Sequence, residues 1–363
     1  MSLGIAGMGW VTPLGSGVEN VWNRLLNGES AIAESISSPR GLNYPVFRVP
    51  ADATAQAPPH PRLRRSSAIS RFAVVAGLSA LADAKVKLDP EIAGRTALIF
   101  AVSNGSVIYT KRFYHEIVES GAQAASPLLF PETVFNAPAS HLAAILGING
   151  ASYTLVGDGA VGILALKMAE DLMAGDALDY CLVVGAEEAD WLLCDAYRKW
   201  RLLRSAPPIE PFQQPARGMI LSEGAGAILL GRSGNVQIEK IAGGTNFRKQ
   251  HEAGVCVEKV FSELCVEQPD LVVASANGTF IDQAERSAIS AISPNARVYA
   301  MKQALGESVG ASSLWQTICA ASALQTQRLP HVSIDGPLRR AVVSTCGLNQ
   351  QVAGLRLGLS RAS

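Results

Sequence analysis

Three stretches of this chain carry residue types at spacings that could do chemistry. Gly157-Asp158-Gly159-Ala160-Val161-Gly162 spells G-x-G-x-x-G, with Glu187 and Glu188 at the end of the next apolar run. In a dinucleotide fold such glycines let the backbone approach a pyrophosphate at a helix N-terminus, and a later carboxylate takes the ribose hydroxyls. One reading is therefore an NAD(P)-dependent oxidoreductase. Against it, Asp158 would place a negative charge beside the phosphates, and a tight strand-to-helix turn needs small residues for structural reasons alone. Gly306-Glu307-Ser308-Val309-Gly310 matches the G-x-S-x-G elbow of serine hydrolases, but His331 precedes Asp335 and no apolar strand runs directly into the motif. The third stretch is basic: Arg62, Arg64 and Arg65, with Lys111 and Arg112 as a second cluster. These are either solvated surface or a docking patch for an acidic carrier protein. Six cysteines stand singly, without a C-x-x-C pair, and five histidines are equally scattered, so no metal site and no disulfide framework is expected.

The elements that must position these residues belong to a packed chain. With 363 residues, two domains or one large doubled one are expected. A content of 48% hydrophobic residues, 33 glycines and 17% charged residues describes a compact α/β protein and excludes disordered, collagenous and coiled-coil classes. Lys+Arg and Asp+Glu balance at 31 each, so no global field draws the chain to nucleic acid or to an anionic membrane. MSLGIAGMGWVTPLG has no basic stretch, and no apolar run approaches the ~18–20 residues that span a bilayer. A soluble, cytoplasmic protein is the expectation.

Glycine-punctuated apolar runs give the order of elements. A strand is predicted near Gly4–Val11 and a helix near Val18–Leu26, then a Pro- and Ser-rich passage, Ser37–Ser67, read as loop. The alanine-rich helix Ala68–Ala84 leads to Thr96–Val102, an unbroken apolar strand suited to a sheet covered on both faces. Helix Phe135–Leu146, strand Tyr153–Val156, helix Ala160–Ala174 and strand Asp179–Val184 follow, with Met219–Leu230 as one further strand. After Gly231–Gly234 the alternation recurs, from strand Val236–Ile241 to closing strands Arg340–Ser344 and Val352–Leu359. Two β-α-β-rich halves, 1–233 and 234–363, predict a duplicated five-layer α/β fold over a barrel of eight, with a Rossmann pair as the alternative. Tyr109, Phe113 and Ile117 share one helix face with Ser106, which by default is core.

Taken in order, the segments resemble one family along essentially the whole chain: the β-ketoacyl-acyl-carrier-protein synthases of the thiolase fold. GMGWVTPLGSGVENVWNRLLNGESAI is similar to the family's start, and SPLLFPETVFNAPASHLAAILGINGASYTL to the stretch leading to its nucleophile. ARGMILSEGAGAILL, SANGT, the LGESVGA segment after Lys302, and CGLN then occur in family order. The resemblance implies thiolase-like α-β-α-β-α layering, dimerisation and no cofactor.

It also implies where the chemistry should sit, and there the chain departs from the pattern. The family's catalytic cysteine corresponds to Gly159, and its two histidines to Asn277, before Gly278-Thr279, and to Glu307, after Gly306. A condensing synthase forms a thioester on a thiolate and uses two imidazoles to stabilise the enolate made as a malonyl unit loses carbon dioxide. Glycine has nothing to acylate. An ionised Glu307 would oppose the enolate by ~4 kcal/mol at an effective dielectric near 20, equivalent to roughly a thousandfold in rate. The gating loop corresponds to Gly347-Leu348-Asn349-Gln350, altered where its oxyanion donor should be, while Lys302 and Glu223 are retained. No catalytic residue is assigned. Gly159, Asn277 and Glu307 are degenerate positions, with Asp158 and Lys302 nearby.

Within the family this pattern is similar to the chain-length factor, the ketosynthase β subunit of type II polyketide synthases. That subfamily has glutamine at the cysteine position where this chain has Gly159, whereas Asp158 is compatible with it. The resemblance implies a silent subunit that pairs with an active β-ketoacyl synthase as a heterodimer, reaches acyl carrier protein through that complex, and shapes its acyl tunnel in fatty-acid-like or polyketide/polyene biosynthesis. In the family the strand before the nucleophile, here Ser152–Val156, pairs across the dimer axis. Ser106, Tyr109, Phe113, Leu129 and Phe130 occupy positions for the partner's tunnel floor or, equally, for ordinary interface or core contacts. The competing enzymatic reading has Asp158, Asn277 and Glu307 converging as a repurposed acid/base set.

Overall fold

The computed structural model describes residues 3–332 and 334–360. The chain opens with β1 (Leu3–Thr12), the short β2 (Gly15–Ser16), α1 (Val18–Leu26) and a hairpin of β3 (Ala33–Ser37) and β4 (Asn43–Phe47). It continues through α2 (Ala68–Asp83), α3 (Pro90–Gly94), β5 (Thr96–Val102), α4 (Val107–Ser120), α5 (Ala137–Leu146), β6 (Ser152–Val156) and α6 (Val161–Leu172). Next come β7 (Tyr180–Glu187), α7 (Trp191–Lys199), β8 (Leu221–Ser222) and β9 (Gly224–Gly231). The remainder is β10 (Val236–Asn246), α8 (Ala253–Leu264), β11 (Leu271–Val273), α9 (Ile281–Ile292), β12 (Arg297–Tyr299), α10 (Lys302–Leu305), α11 (Ser312–Thr326), β13 (Arg340–Cys346) and β14 (Gln351–Leu359).

The large sheet runs β12-β11-β13-β14-β10-β1-β9-β7-β5-β6. Outward from the β1–β10 junction its two arms have one topology. Beyond β1 lie β9, β7, β5 and β6, and beyond β10 lie β14, β13, β11 and β12. In each arm the first two pairings are antiparallel and the last two parallel. The duplicated α/β architecture expected from the sequence is therefore present, and the antiparallel pairings set it apart from a Rossmann pair. Helices α2 and α5 cover one arm and α8 and α9 the other, while α6 and α11 pack on each other and against strands of both arms. The result is five layers, α-β-α-β-α.

Packing explains the composition of these segments. Every residue of α11 from Ser312 to Leu324 is buried, so its sequence carries apolar and small residues all round and no charged face. At the α6–α11 crossing a Cβ on Gly162 would run into Ser313 Oγ, which instead accepts a hydrogen bond from Gly162 N at 3.1 Å. β5 is buried along its whole length between two helical layers.

Three expectations need correction. The Ser37–Ser67 passage holds β4, which pairs with β3 and β8 in a separate small sheet, and two single-turn helices. Pro45 and a polar, exposed β3 hide that strand, whose other neighbour comes from far along the chain. Met219–Leu230 is two strands, not one, because the chain passes from the small sheet to the large one at Glu223. There the carboxylate accepts from Arg48 Nη1 at 2.9 Å, Val49 N at 3.2 Å and Ala189 N at 3.3 Å. Finally, α4 is not core, since none of its residues is buried.

Candidate functional site

The site is built at or just beyond the C-terminal ends of parallel strands: Gly157–Gly159 after β6, Ser275–Thr279 after β11, Lys302 after β12 and Cys346 at the end of β13. β6 turns sharply at Asp158 into α6. Gly159 is half-buried, and a Cβ there would lie 3.2 Å from Gly347 Cα and 3.6 Å from Cys346 O. The tip of the β13–β14 hairpin thus leaves little room for a side chain at 159.

Asp158 is committed to that tip. One carboxylate oxygen, Oδ1, accepts from Leu348 N at 3.1 Å, and Oδ2 accepts from Asn349 N at 2.8 Å and Gln350 N at 3.0 Å. Its own N–H donates to Gln351 Oε1 at 3.0 Å. A Cβ on Gly347 would overlap the Asp158 carboxylate, so this close approach requires glycine.

Behind the hairpin Asn277, Lys302 and Glu307 close on one another. Asn277 Nδ2 donates to Glu307 Oε2 at 2.7 Å, and Lys302 Nζ donates to the same oxygen at 2.7 Å. Asn277 Oδ1 accepts from Thr279 N and Oγ1 at 3.1 and 2.7 Å. Lys302 Nζ also donates to Ser275 Oγ at 3.1 Å, and Ser275 Oγ exchanges hydrogen bonds with the backbone of Cys346 at 3.2 Å. Lys302 and Glu307 are each 2% exposed, and Glu307 Oε1 is buried without a hydrogen-bond partner among the described residues. The repulsion expected from Glu307 is thereby corrected: Lys302 balances the carboxylate charge, and what position 307 lacks is an imidazole donor.

Neither glycine-motif alternative finds its geometry here. The amides of Gly157, Asp158, Val161 and Gly162 donate to Val102 O, Gln351 Oε1, Asp158 O and Ser313 Oγ, so they are not turned towards a pyrophosphate. Glu187 is already engaged, accepting from Ser103 N, Asn104 N and Gly105 N, each at 3.0 Å. Ser308 of the G-x-S-x-G motif is buried, and its Oγ has no partner among the described residues, histidine included. Nor do Asp158, Asn277 and Glu307 form one acid/base set, because Asp158 bonds the hairpin tip while the other two bond each other.

Burial perturbs several groups around the site. It pushes the Glu187 carboxyl up to about 7 despite its amide donors. Burial, then the neighbouring Glu187 and Glu223, push Glu188 up to about 8. Glu285, which accepts from Ser275 N at 2.8 Å, is raised by burial to about 7. The buried Cys346 thiol is driven well above its ordinary value, which opposes a nucleophilic thiolate.

The positions proposed for a tunnel floor gather around α4. Ser106 precedes the helix and, with Val107, Thr110, Thr133, Val134 and Phe135, lines a cavity of about 340 Å³. Tyr109 Oη donates to Ser66 O at 3.2 Å, and the Phe113 ring lies 5.6 Å from that of Phe130. Leu129 is buried, whereas Phe130 is 55% exposed. α4 packs on the Phe130–Thr133 turn, that turn on α5, and α5 on β6. β6 is a sheet edge, with Tyr153 41% and Val156 52% exposed. Arg62, Arg64 and Arg65 are exposed, and Arg64 lines a hollow of about 320 Å³ with His60 and Arg71. Lys111 lies over the Trp191 ring and Arg112 pairs with Glu116.

Ser275 and Gln351 were not picked out from the sequence. Both lie in or beside the SANGT and CGLN segments, but no spacing rule connects a serine after β11 to a lysine after β12. Among the described residues no helix is long and apolar enough to cross a membrane.

Comparison with known proteins gives consistent matches. A family model for the N-terminal domain of β-ketoacyl synthases matches residues 2–234. The chain is 24% identical to 3-oxoacyl-[acyl-carrier-protein] synthase 2 of Vibrio cholerae over 234 residues, 62% of this chain and 56% of that protein. It thus spans little more than half the length of the first curated relatives it matches. With 3-oxoacyl-[acyl-carrier-protein] synthase 2 of Staphylococcus aureus it shares 21% identity over 357 residues, 90% of this chain and 88% of the other. In structure it is similar to the ishigamide ketosynthase/chain length factor, with a TM-score of 0.86, 19% identity and 99% of each chain covered. That last likeness is one of fold.

Proposed function

This chain belongs to the β-ketoacyl synthase family, and within it we propose a catalytically silent subunit of the chain-length-factor kind. It pairs with an active β-ketoacyl synthase and shapes that partner's acyl or polyketide tunnel. The observation that carries the reading is Gly159 at the head of α6, where a side chain would press on Gly347. Support comes from Asn277, Glu307 and Lys302, whose polar groups bond one another. It comes also from β6, whose free edge and exposed Tyr153 and Val156 suit pairing with another chain. The partner's tunnel would end against Ser106, Tyr109, Phe113, Leu129 and Phe130. Arg62, Arg64 and Arg65 offer an acidic carrier protein a cationic surface on the complex. We place the division between the two halves at residues 233/234, in the connection from β9 to β10.

Two measurements test this reading. Incubated alone with acyl- and malonyl-carrier protein, the chain should give neither a covalent acyl adduct nor a ketoester; a stable adduct, at Cys346 for instance, would overturn silence. Co-expressed with its cognate active ketosynthase, the chain should purify as a one-to-one heterodimer. A soluble monomer or homodimer that ignores every such ketosynthase would overturn the pairing.

A further inference from the structure

The geometry points to Asp158 as a latch that holds the β13–β14 hairpin tip down over Gly159, so that position 159 stays covered even when a side chain is restored there. Three successive amides, Leu348 N, Asn349 N and Gln350 N, converge on one carboxylate at 3.1, 2.8 and 3.0 Å. Converging backbone N–H groups at a turn form a concave anion nest, and here the nest is filled from within by the residue next to position 159. Bonds from amides to a carboxylate are charge-assisted, roughly twice as strong as neutral ones, so three together hold the tip firmly. The bond from Asp158 N to Gln351 Oε1 ties the other side of the same turn.

The latch acts on the tip's position and not on its shape. The hairpin is closed independently by the β13–β14 ladder, which ends at Cys346 opposite Val352, and by Gly347 N donating to Gln351 O at 2.7 Å. Ser275 Oγ tethers Cys346 from beneath at 3.2 Å. What Asp158 adds is contact between tip and α6. A Cβ at 159 would stand 3.2 Å from Gly347 Cα, a gap that becomes comfortable if Gly347 yields a few tenths of an ångström. The three bonds to Asp158 keep it from yielding. Because Gly347 has no room for a Cβ beside the carboxylate, the latch can be opened from either partner.

The inference stands apart from the pairing proposal, since it concerns only contacts within the chain. Its test is alkylation of a reporter thiol in the full chain, alone or with its partner, with the labelled peptide identified by mass. Gly159→Cys should react slowly with iodoacetamide, and Asp158→Ala in the same background should accelerate labelling at 159 at least tenfold. Gly347→Ala, which leaves the carboxylate in place, should accelerate it similarly. Hydrogen exchange gives a second reading without a new cysteine: amides 348–350 should exchange at least a hundredfold faster in Asp158→Ala, and less so in Asp158→Asn, which keeps a neutral acceptor. Equal labelling rates with and without Asp158, or unchanged protection of amides 348–350, would overturn the latch and leave the hairpin and Ser275 to hold the tip. Heterodimer formation is scored separately, so failure of one proposal is not failure of the other.

Discussion

Position 159 is a glycine beneath a hairpin tip, and a Cβ there would lie 3.2 Å from Gly347 Cα. Lys302 and Glu307 form a buried pair, each 2% exposed, and under the proposed function that pair is structural. Lys302→Met should lower stability by about 3–5 kcal/mol by urea denaturation, because it strands Glu307 as an uncompensated buried charge. Lys302→Met combined with Glu307→Met should recover most of that loss, and an undiminished deficit in the double variant would exclude this account. Glu187, Glu188 and Glu285 set the response to pH, with carboxyls raised by burial to about 7, about 8 and about 7. From about pH 5 to 8 the folded chain retains protons on these groups that the unfolded chain has released, so stability should fall as pH rises through that window. Glu188→Gln should flatten the alkaline part of the decline in urea midpoint, and a midpoint rising across the window would contradict the assignment.

At the scale of elements, β6 is a sheet edge and α4 carries no buried residue, and the proposed pairing would cover both. A sheet edge with a half-exposed valine, and a helix without a single buried residue, are unusual places to find aromatic and β-branched side chains. Val156→Glu should abolish the proposed heterodimer on gel filtration while leaving the circular dichroism spectrum unchanged, since the side chain is 52% exposed in the lone chain. In an intact complex, Ser106→Trp should shorten products by narrowing the cavity beside α4, and Phe113→Ala should lengthen them by removing the ring that lies against Phe130. Condensation itself should continue in both variants. Unchanged product length would detach α4 from the tunnel.

For the molecule as a whole, the two arms of the sheet are joined at β1–β10 and clamp the shared layer of α6 and α11, so neither half has a complete core of its own. Calorimetry should show one unfolding transition, and Gly162→Val, which drives α6 from Ser313, should lower it without splitting it in two. Resolved transitions for 1–233 and 234–363 would contradict that coupling. The duplicated fold was legible in the sequence because covered parallel strands are continuously apolar and glycine marks the turns between them, patterns that local spacing preserves. That position 159 carries no thiol was legible for a simpler reason, since no arrangement in space gives a glycine one. Asp158, Asn277, Glu307 and Lys302 were visible only as residue types. That Asp158 would bond a hairpin nearly two hundred residues away, or that Lys302 would cancel the charge of Glu307, depends on strands from separate parts of the chain ending side by side. The break at Glu223 and the strand near Pro45 belong to the same class, because their pairing partners are remote. Sequence fixes which groups exist and how each segment alternates, whereas hydrogen-bond partners and charge compensation are set by distances of about 3 Å that only the closed tertiary structure creates.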